Sequence, residues 1–164
     1  TGMMGVGKTT VGKAVAKKLG FDFIDIDSII EEKERSSINK IFLNKGEKYF
    51  RVIEKKTTLN FLRKNDVVIS LGGGAFIDNL IRKRVLKHSI SFWLDLNTSK
   101  IFQRNKKLNK RPLLKNDRTG ETLSKIYHTR KKYYNLANFR VNCDNLTKSD
   151  TVAEILKIYE NSKN

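Results

Sequence analysis

A single cysteine, Cys143, stands in a chain of 164 residues, so no intrachain disulfide can form. That fits a reducing compartment. Proline is equally scarce: Pro112 is the only one, and no Pro/Ser-rich linker, internal repeat or low-complexity tract breaks the chain. The length suits one domain with one core, expected to span residues 1–164. No apolar run approaches the length of a membrane span, so no membrane association is expected. The N-terminus carries no signal peptide, although Thr1 is not a natural start and leaves room for a removed leader.

Acidic residues are also few, 17 against 34 Lys and Arg, which gives a net charge of +17. Such a balance often marks nucleic-acid binding. Here the basic residues are spread along the chain rather than gathered into one arm, so nucleic acid is the weaker reading. A positive field also attracts small anions. Hydrophobic residues make up 38% and charged residues 31%, as in a soluble globular chain rather than a disordered one.

The opening "TGMMGVGKTT" fits the phosphate-cradling pattern G-x-x-x-x-G-K-[ST]. Gly2, Gly5 and Gly7 let the backbone turn its N–H groups toward phosphate oxygens, with Val6 and Thr10 in the same loop. Lys8 is placed to reach the β- and γ-phosphates of a nucleotide, and the Thr9 hydroxyl to ligate Mg²⁺. Val11, Ala14, Val15 and Leu19 predict a helix that Gly20 ends. A buried strand normally precedes such a loop. Almost nothing does here, so Thr1 is expected to be a truncation point, with the first strand largely missing.

Strands and helices alternate downstream. "FDFIDID", "DVVISLGGG", "SISFWLDL" and "NFRVNCD" read as strands. Helices are expected over Ile29–Asn44, Glu47–Arg63, Ile77–Lys87, Thr98–Lys107 and Glu121–Leu136. A last one carries Val152, Ile155, Leu156 and Tyr159, with Ser149 or Asp150 as its cap. The pattern implies an α/β fold, a parallel sheet flanked by helices, with ligands beyond the carboxyl ends of the strands.

Asp25 and Asp27 stand two apart and would share a face if the strand continued. One would hold Mg²⁺ through water and the other accept a hydroxyl proton; the competing reading makes Asp27 a helix cap. Gly72, Gly73 and Gly74 permit unusual dihedrals and close ligand approach. "VVISL" carries no acid, which excludes the metal-binding strand of helicases and large ATPases. Arg51 and Glu54 lie three apart on a helix, and spacing alone favours a surface ion pair. Arg111 precedes Pro112 in a basic, turn-rich segment that suits a lid closing over phosphates. Arg130 sits in "TRKKYY", a run that ordinarily marks an exposed helix face.

Together, "GMMGVGKTTVGKAVAKKLGFDFIDID", "IFLNKGEKYFRVIEKK", "VISLGGGAF", "RPLL" and "YYNLANFRV" resemble the shikimate kinase family, in order and nearly end to end. The resemblance implies a P-loop small-molecule kinase with a five-stranded parallel sheet and a lid at about residues 106–120. It implies transfer of the ATP γ-phosphoryl group to the 3-hydroxyl of shikimate, in the route to chorismate and aromatic amino acids. Lys8 would contact phosphates, Thr9 would bind Mg²⁺, and Asp25 would support it through water. Asp27 would hold the acceptor and serve as base. Arg51, steadied by Glu54, and Arg130 would clamp the substrate carboxylate. Gly73 and Gly74, next to Gly72, would offer N–H groups. Arg111 would close on the phosphates, and Arg104 would lie against adenine. A monomer is expected, in the cytoplasm or, if a leader was removed, a plastid.

Overall fold

The structure is a computed structural model, and it describes residues 1–104, 112–114 and 119–162. The first helix, α1 (Lys8–Leu19), buries Val11, Val15 and Ala16 and ends at Gly20, whose φ of 70° closes the last turn. The strand β1 (Asp22–Asp25) follows at once. Helix α2 (Ile26–Glu34) begins immediately after it, because the Asp25 carboxylate accepts the Ser28 N–H and caps the new helix. The apolar periodicity predicts one helix across Ile29–Asn44. Instead Arg35 takes a left-handed φ of 49°, and Ser37 caps a new helix, α3 (Ile38–Phe61). Gly46, at φ 80° and ψ 166°, interrupts α3 internally. That break coincides with the boundary between the two expected helical segments.

The strand β2 (Val67–Ser70) pairs with β1 in parallel, with Asp25 beside Ser70 at the carboxyl end. After the glycine triplet comes a short 3-10 turn (Ala75–Ile77), then α4 (Asn79–His88). The strand β3 (Phe92–Asp95) pairs in parallel with β4 (Phe139–Asn142). Between them lie α5 (Thr98–Arg104), a 3-10 turn at Pro112–Leu114 and α6 (Glu121–Tyr134). The closing helix, α7 (Lys148–Asn161), is capped by Thr147, not by Ser149 or Asp150; Asp150 instead returns a bond to Thr147 and completes a capping box.

The expected single sheet is present as two parallel pairs, β1–β2 and β3–β4. Among the described residues, Thr1 and Gly2 of the phosphate loop ladder onto β3 through Leu94. Between the pairs runs a cavity of about 730 Å³ lined by β2, Phe92 and Leu94 of β3, and α1. This accounts for β2, which the sequence presents as a buried strand. Val67, Val68 and Ile69 are only half-buried, and Ser70 alone is fully covered. One hydrophobic cluster nevertheless joins both pairs, from Met3 and Ile26 to Trp93, Leu123 and Val141. Among the described residues no helix is long and apolar enough to cross a membrane.

Helix α4 illustrates how local chemistry fixes the frame. The Asp78 carboxylate accepts the N–H groups of Leu80 (2.9 Å) and Ile81 (3.0 Å) and an ion pair from Lys55 of α3 (2.9 Å). Burial pulls its pKa up, but the Ile81 N–H and Lys55 outweigh that and hold the carboxyl below its ordinary value. A depressed carboxylate stabilises the fold above its unfolded pKa of about 4, and the contribution is lost as pH falls through the folded value. Asp78→Ala is therefore expected to cost about 1 kcal/mol at neutral pH, or a few degrees in Tm. Thermal melts of the two proteins should converge in acid. A difference that persists at low pH would assign the loss to packing instead.

Candidate active site

The phosphate loop is anchored before it can bind anything. Gly2 has a φ of 137°, and a Cβ there would stand 2.6 Å from the Leu94 carbonyl oxygen, so only glycine lets the chain lie on β3. Gly7 occupies the N-cap of α1 at φ 100° with no side-chain cap bond. A glycine cap keeps side-chain bulk away from the first turn, and the helix dipole favours an anion there. The Lys8 ammonium folds back and donates to the carbonyls of Gly2 (3.0 Å) and Met3 (2.8 Å), which places its charge over the loop. Gly5 and Val6 form the turn of the loop. Thr10 lies exposed in the first turn of α1.

Thr9 and Asp25 meet as the sequence suggests. The Thr9 hydroxyl donates to Asp25 Oδ2 at 2.5 Å, while Oδ1 caps α2. Asp25 and Asp27 do not share a strand face, because the strand stops at Asp25. Asp27 lies in the first turn of α2 and points into a different pocket. The capping alternative is thereby assigned to the other aspartate.

That second pocket is where the remaining candidates converge. Asp27, Arg51, Glu54, Gly72, Gly73, Gly74 and Arg130 line it, with Phe42, Phe50 and Leu113 as apolar walls. Helices α3 and α6 both pack against the 3-10 turn that follows the glycines, so their side chains arrive from two sides. Arg51 and Glu54 are not a surface pair. Glu54 is only 2% exposed, and its Oε2 accepts from Arg51 Nη1 at 2.8 Å. Burial pushes the Glu54 carboxyl above its usual range against the pull of Arg51. Glu47 also holds Arg51, through Nε at 3.1 Å and Nη2 at 2.8 Å. No role for Glu47 is read from the sequence, although its i,i+4 spacing from Arg51 was a usable signal.

Arg130 departs from the expectation of an exposed face. It is 7% exposed, whereas Lys131 and Lys132 face solvent. Its Nη1 donates to the Gly73 carbonyl at 2.9 Å. Of the two reasons the sequence suggests for the glycine triplet, unusual dihedrals are not the one in use. None of the three has a left-handed φ. What they provide is room. A Cβ on Gly72 would meet Glu54 Oε1 at 2.5 Å and Asp27 Oδ1 at 2.8 Å. On Gly74 it would meet Arg51 Nη1 at 2.4 Å. The carboxylates and the guanidinium therefore lie directly on the glycine backbone.

Two expected site side chains are not among those described. Arg111 lies outside the described residues, as does the Arg104 side chain at the end of α5. Of the expected lid, the described part is the Pro112–Leu114 turn and residues 119–120, and Leu113 of that turn reaches the pocket.

The glycine-rich loop thus adjoins a small pocket with two cationic forks, two carboxylates beside them and bare backbone. Known proteins match nearly all of this chain. A family described as shikimate kinase matches residues 4–160. The shikimate kinase of Persephonella marina is 40% identical over 155 residues, covering 94% of this chain and 93% of that protein. The shikimate kinase of a Sulfurihydrogenibium species is 42% identical over 157 residues, covering 94% of this chain and 92% of that protein. Among solved structures, shikimate kinase from Acinetobacter baumannii in complex with shikimate superposes with a TM-score of 0.93 at 29% identity, over 99% of this chain and 91% of that one. In sequence and in fold, the chain belongs to the shikimate kinase family.

Proposed function

We propose that this chain phosphorylates the 3-hydroxyl of shikimate with ATP, giving shikimate 3-phosphate and ADP, and that it does so as a monomer without a nucleic-acid partner. The observation that carries the reading is the convergence of Asp27, Arg51 and Arg130 on the glycine turn beside the phosphate loop. A carboxylate substrate needs cationic forks, and guanidinium groups meet it bidentately. The substrate's hydroxyls need an acceptor; of the two aspartates, Asp25 caps α2 and Asp27 lines the pocket. Phosphoryl transfer has a loose transition state, so the protein's task is alignment and charge neutralisation.

In this reading the N-terminus of α1 and the Lys8 ammonium hold the β- and γ-phosphates. Asp27 accepts the proton of the attacking hydroxyl. Arg51 and Arg130 hold the carboxylate, and the Gly73 and Gly74 backbone lets the ring approach closely. Arg111 would neutralise charge on the transferring group and Arg104 would contact adenine. Thr9 and Asp25 suit Mg²⁺, since both offer hard oxygen donors in mutual contact at the phosphate loop. Thr9 would bind the ion directly and Asp25 through water, which suits an ion that keeps most of its waters and takes phosphate oxygens as further ligands. When bound, the ion would supply charge neutralisation across the phosphates.

A coupled assay of ADP release tests the assignment, run side by side with shikimate and with gluconate. ADP release that depends on shikimate, and exceeds that on gluconate by at least tenfold, is the expected result. A preference for gluconate would move the chain to the sugar-acid kinases of the same fold. Absence of turnover on either acid, together with steeply salt-dependent RNA or DNA binding, would reinstate the nucleic-acid reading that the +17 charge permits.

A further inference from the structure

Tyr134 ends α6, four residues after Arg130, so the two side chains leave the same face of the helix one turn apart. The ring is wholly buried and lies 6.0 Å from that of Trp93, tilted by 33°. Its hydroxyl donates to the carbonyl of Gly73 and lies 3.7 Å from the Met3 sulfur in the phosphate loop. Arg130 donates to that same Gly73 carbonyl at 2.9 Å. A carbonyl oxygen has two lone pairs, and here a guanidinium and a phenol share them. Burial raises the phenol's pKa, so it remains a donor across the neutral range. Gly73 itself is close to the loop, since a Cβ on it would stand 3.2 Å from the Met4 nitrogen.

One hydroxyl therefore touches the donor side and the acceptor side of the site at once. Packing alone does not require it. Phenylalanine would fill the same space against Trp93, but would leave one lone pair of the Gly73 carbonyl without its buried partner. Arg130 would then be the sole donor there, free to centre itself on the oxygen or swing away.

We propose that Tyr134 is a positioning residue: by sharing the Gly73 carbonyl with Arg130, its hydroxyl fixes where the Arg130 guanidinium presents its remaining N–H groups to the acceptor's carboxylate. It does not touch the reacting atoms and is not a catalytic residue. The inference rests on the acceptor reading above. It concerns which protein group sets the geometry of that site.

The test is Tyr134→Phe. The KM for shikimate is expected to rise about five- to twentyfold, with the KM for ATP within twofold of wild type. Shikimate binding without ATP should weaken in parallel, followed by the fluorescence of Trp93, the only tryptophan. In an Arg130→Ala background the Tyr134→Phe change should have little further effect on that KM, because the residue acts through Arg130. A fall in Tm with both KM values unchanged would make the role structural and overturn the proposal. Equal rises in both KM values, or full additivity with Arg130→Ala, would overturn it as well. Should Tyr134→Phe fail to fold, site-specific 3-fluorotyrosine at 134 changes the donor strength while keeping the shape. It must then shift the KM for shikimate and not that for ATP; no shift counts against the proposal. Wild-type turnover alone decides the acceptor reading. The proposal is read from the ratio of variant to wild type, on shikimate or on whichever acid the wild type phosphorylates.

Discussion

Asp27→Asn is expected to lower kcat by about 10²- to 10⁴-fold while the protein melts within a few degrees of wild type. The stability half of the expectation follows from where Asp27 sits. Helix α2 is started by Asp25, and its buried contacts come from Ile26 and Ile30, so Asp27 carries neither the cap nor the core. Asparagine keeps the size and the hydrogen-bonding oxygen but cannot take a proton from the acceptor hydroxyl. Glu54 is close, since both carboxylates would touch a Cβ on Gly72, yet it does not substitute. Its Oε2 is held by Arg51 at 2.8 Å, and the carboxyl is nearly out of solvent. The measurement is single-turnover ADP formation at saturating shikimate, with circular dichroism and thermal melts as controls. A loss below tenfold would leave Asp27 as an orienting group, in keeping with a transition state that asks little of a base.

The sequence made some parts of this site legible and hid others for identifiable reasons. Helix α1 and its loop are local features. Glycine positions, an apolar period and the closing Gly20 specify them without reference to distant residues, and they appear where the sequence places them. The two aspartates are legible as a pair, but whether they share a face is not. Whether a strand runs on through Asp27 depends on whether Asp25 turns its carboxylate onto the Ser28 N–H, and both paths are locally allowed. The burial of Arg51, Glu54 and Arg130 was not legible from spacing. A Lys/Arg run or an i,i+3 pair has the same appearance on a wet face as on a buried one. Only the packing of α3 and α6 on the glycine turn separates Arg130 from Lys131 beside it. The resemblance supplied those roles because it carries tertiary information that residue spacing lacks. The glycine triplet divides the two reasons the sequence offers: no left-handed dihedral is used, and close approach to the backbone is what remains.

Space makes a prediction that flexibility does not. Gly74→Ala is expected to reduce kcat/KM for shikimate by about 10²-fold, whereas Gly73→Ala should cost about tenfold or less. A methyl on Gly74 would lie 2.4 Å from Arg51 Nη1 and 2.7 Å from Cζ, inside any tolerable contact. The obstacle is the far end of a flexible side chain, so the guanidinium moves and the backbone stays. Moving it disturbs the 2.8 Å bond to Glu54 and the two bonds to Glu47 together, and takes the cationic fork off the position where it meets a carboxylate. Losing such a charged, hydrogen-bonded contact costs about 2–5 kcal/mol, which is consistent with the expected factor. At Gly73 the nearest atoms are 3.2–3.5 Å away and need give only slightly. Neither change meets a backbone penalty, because neither position uses a left-handed φ. Shikimate titrations at saturating ATP, with ATP titrations as the internal control, separate the two variants. Flexibility as the reason for glycine would make both variants equally poor and both less stable. Collision with Arg51 makes Gly74→Ala selectively poor toward the acid, with the KM for ATP unmoved.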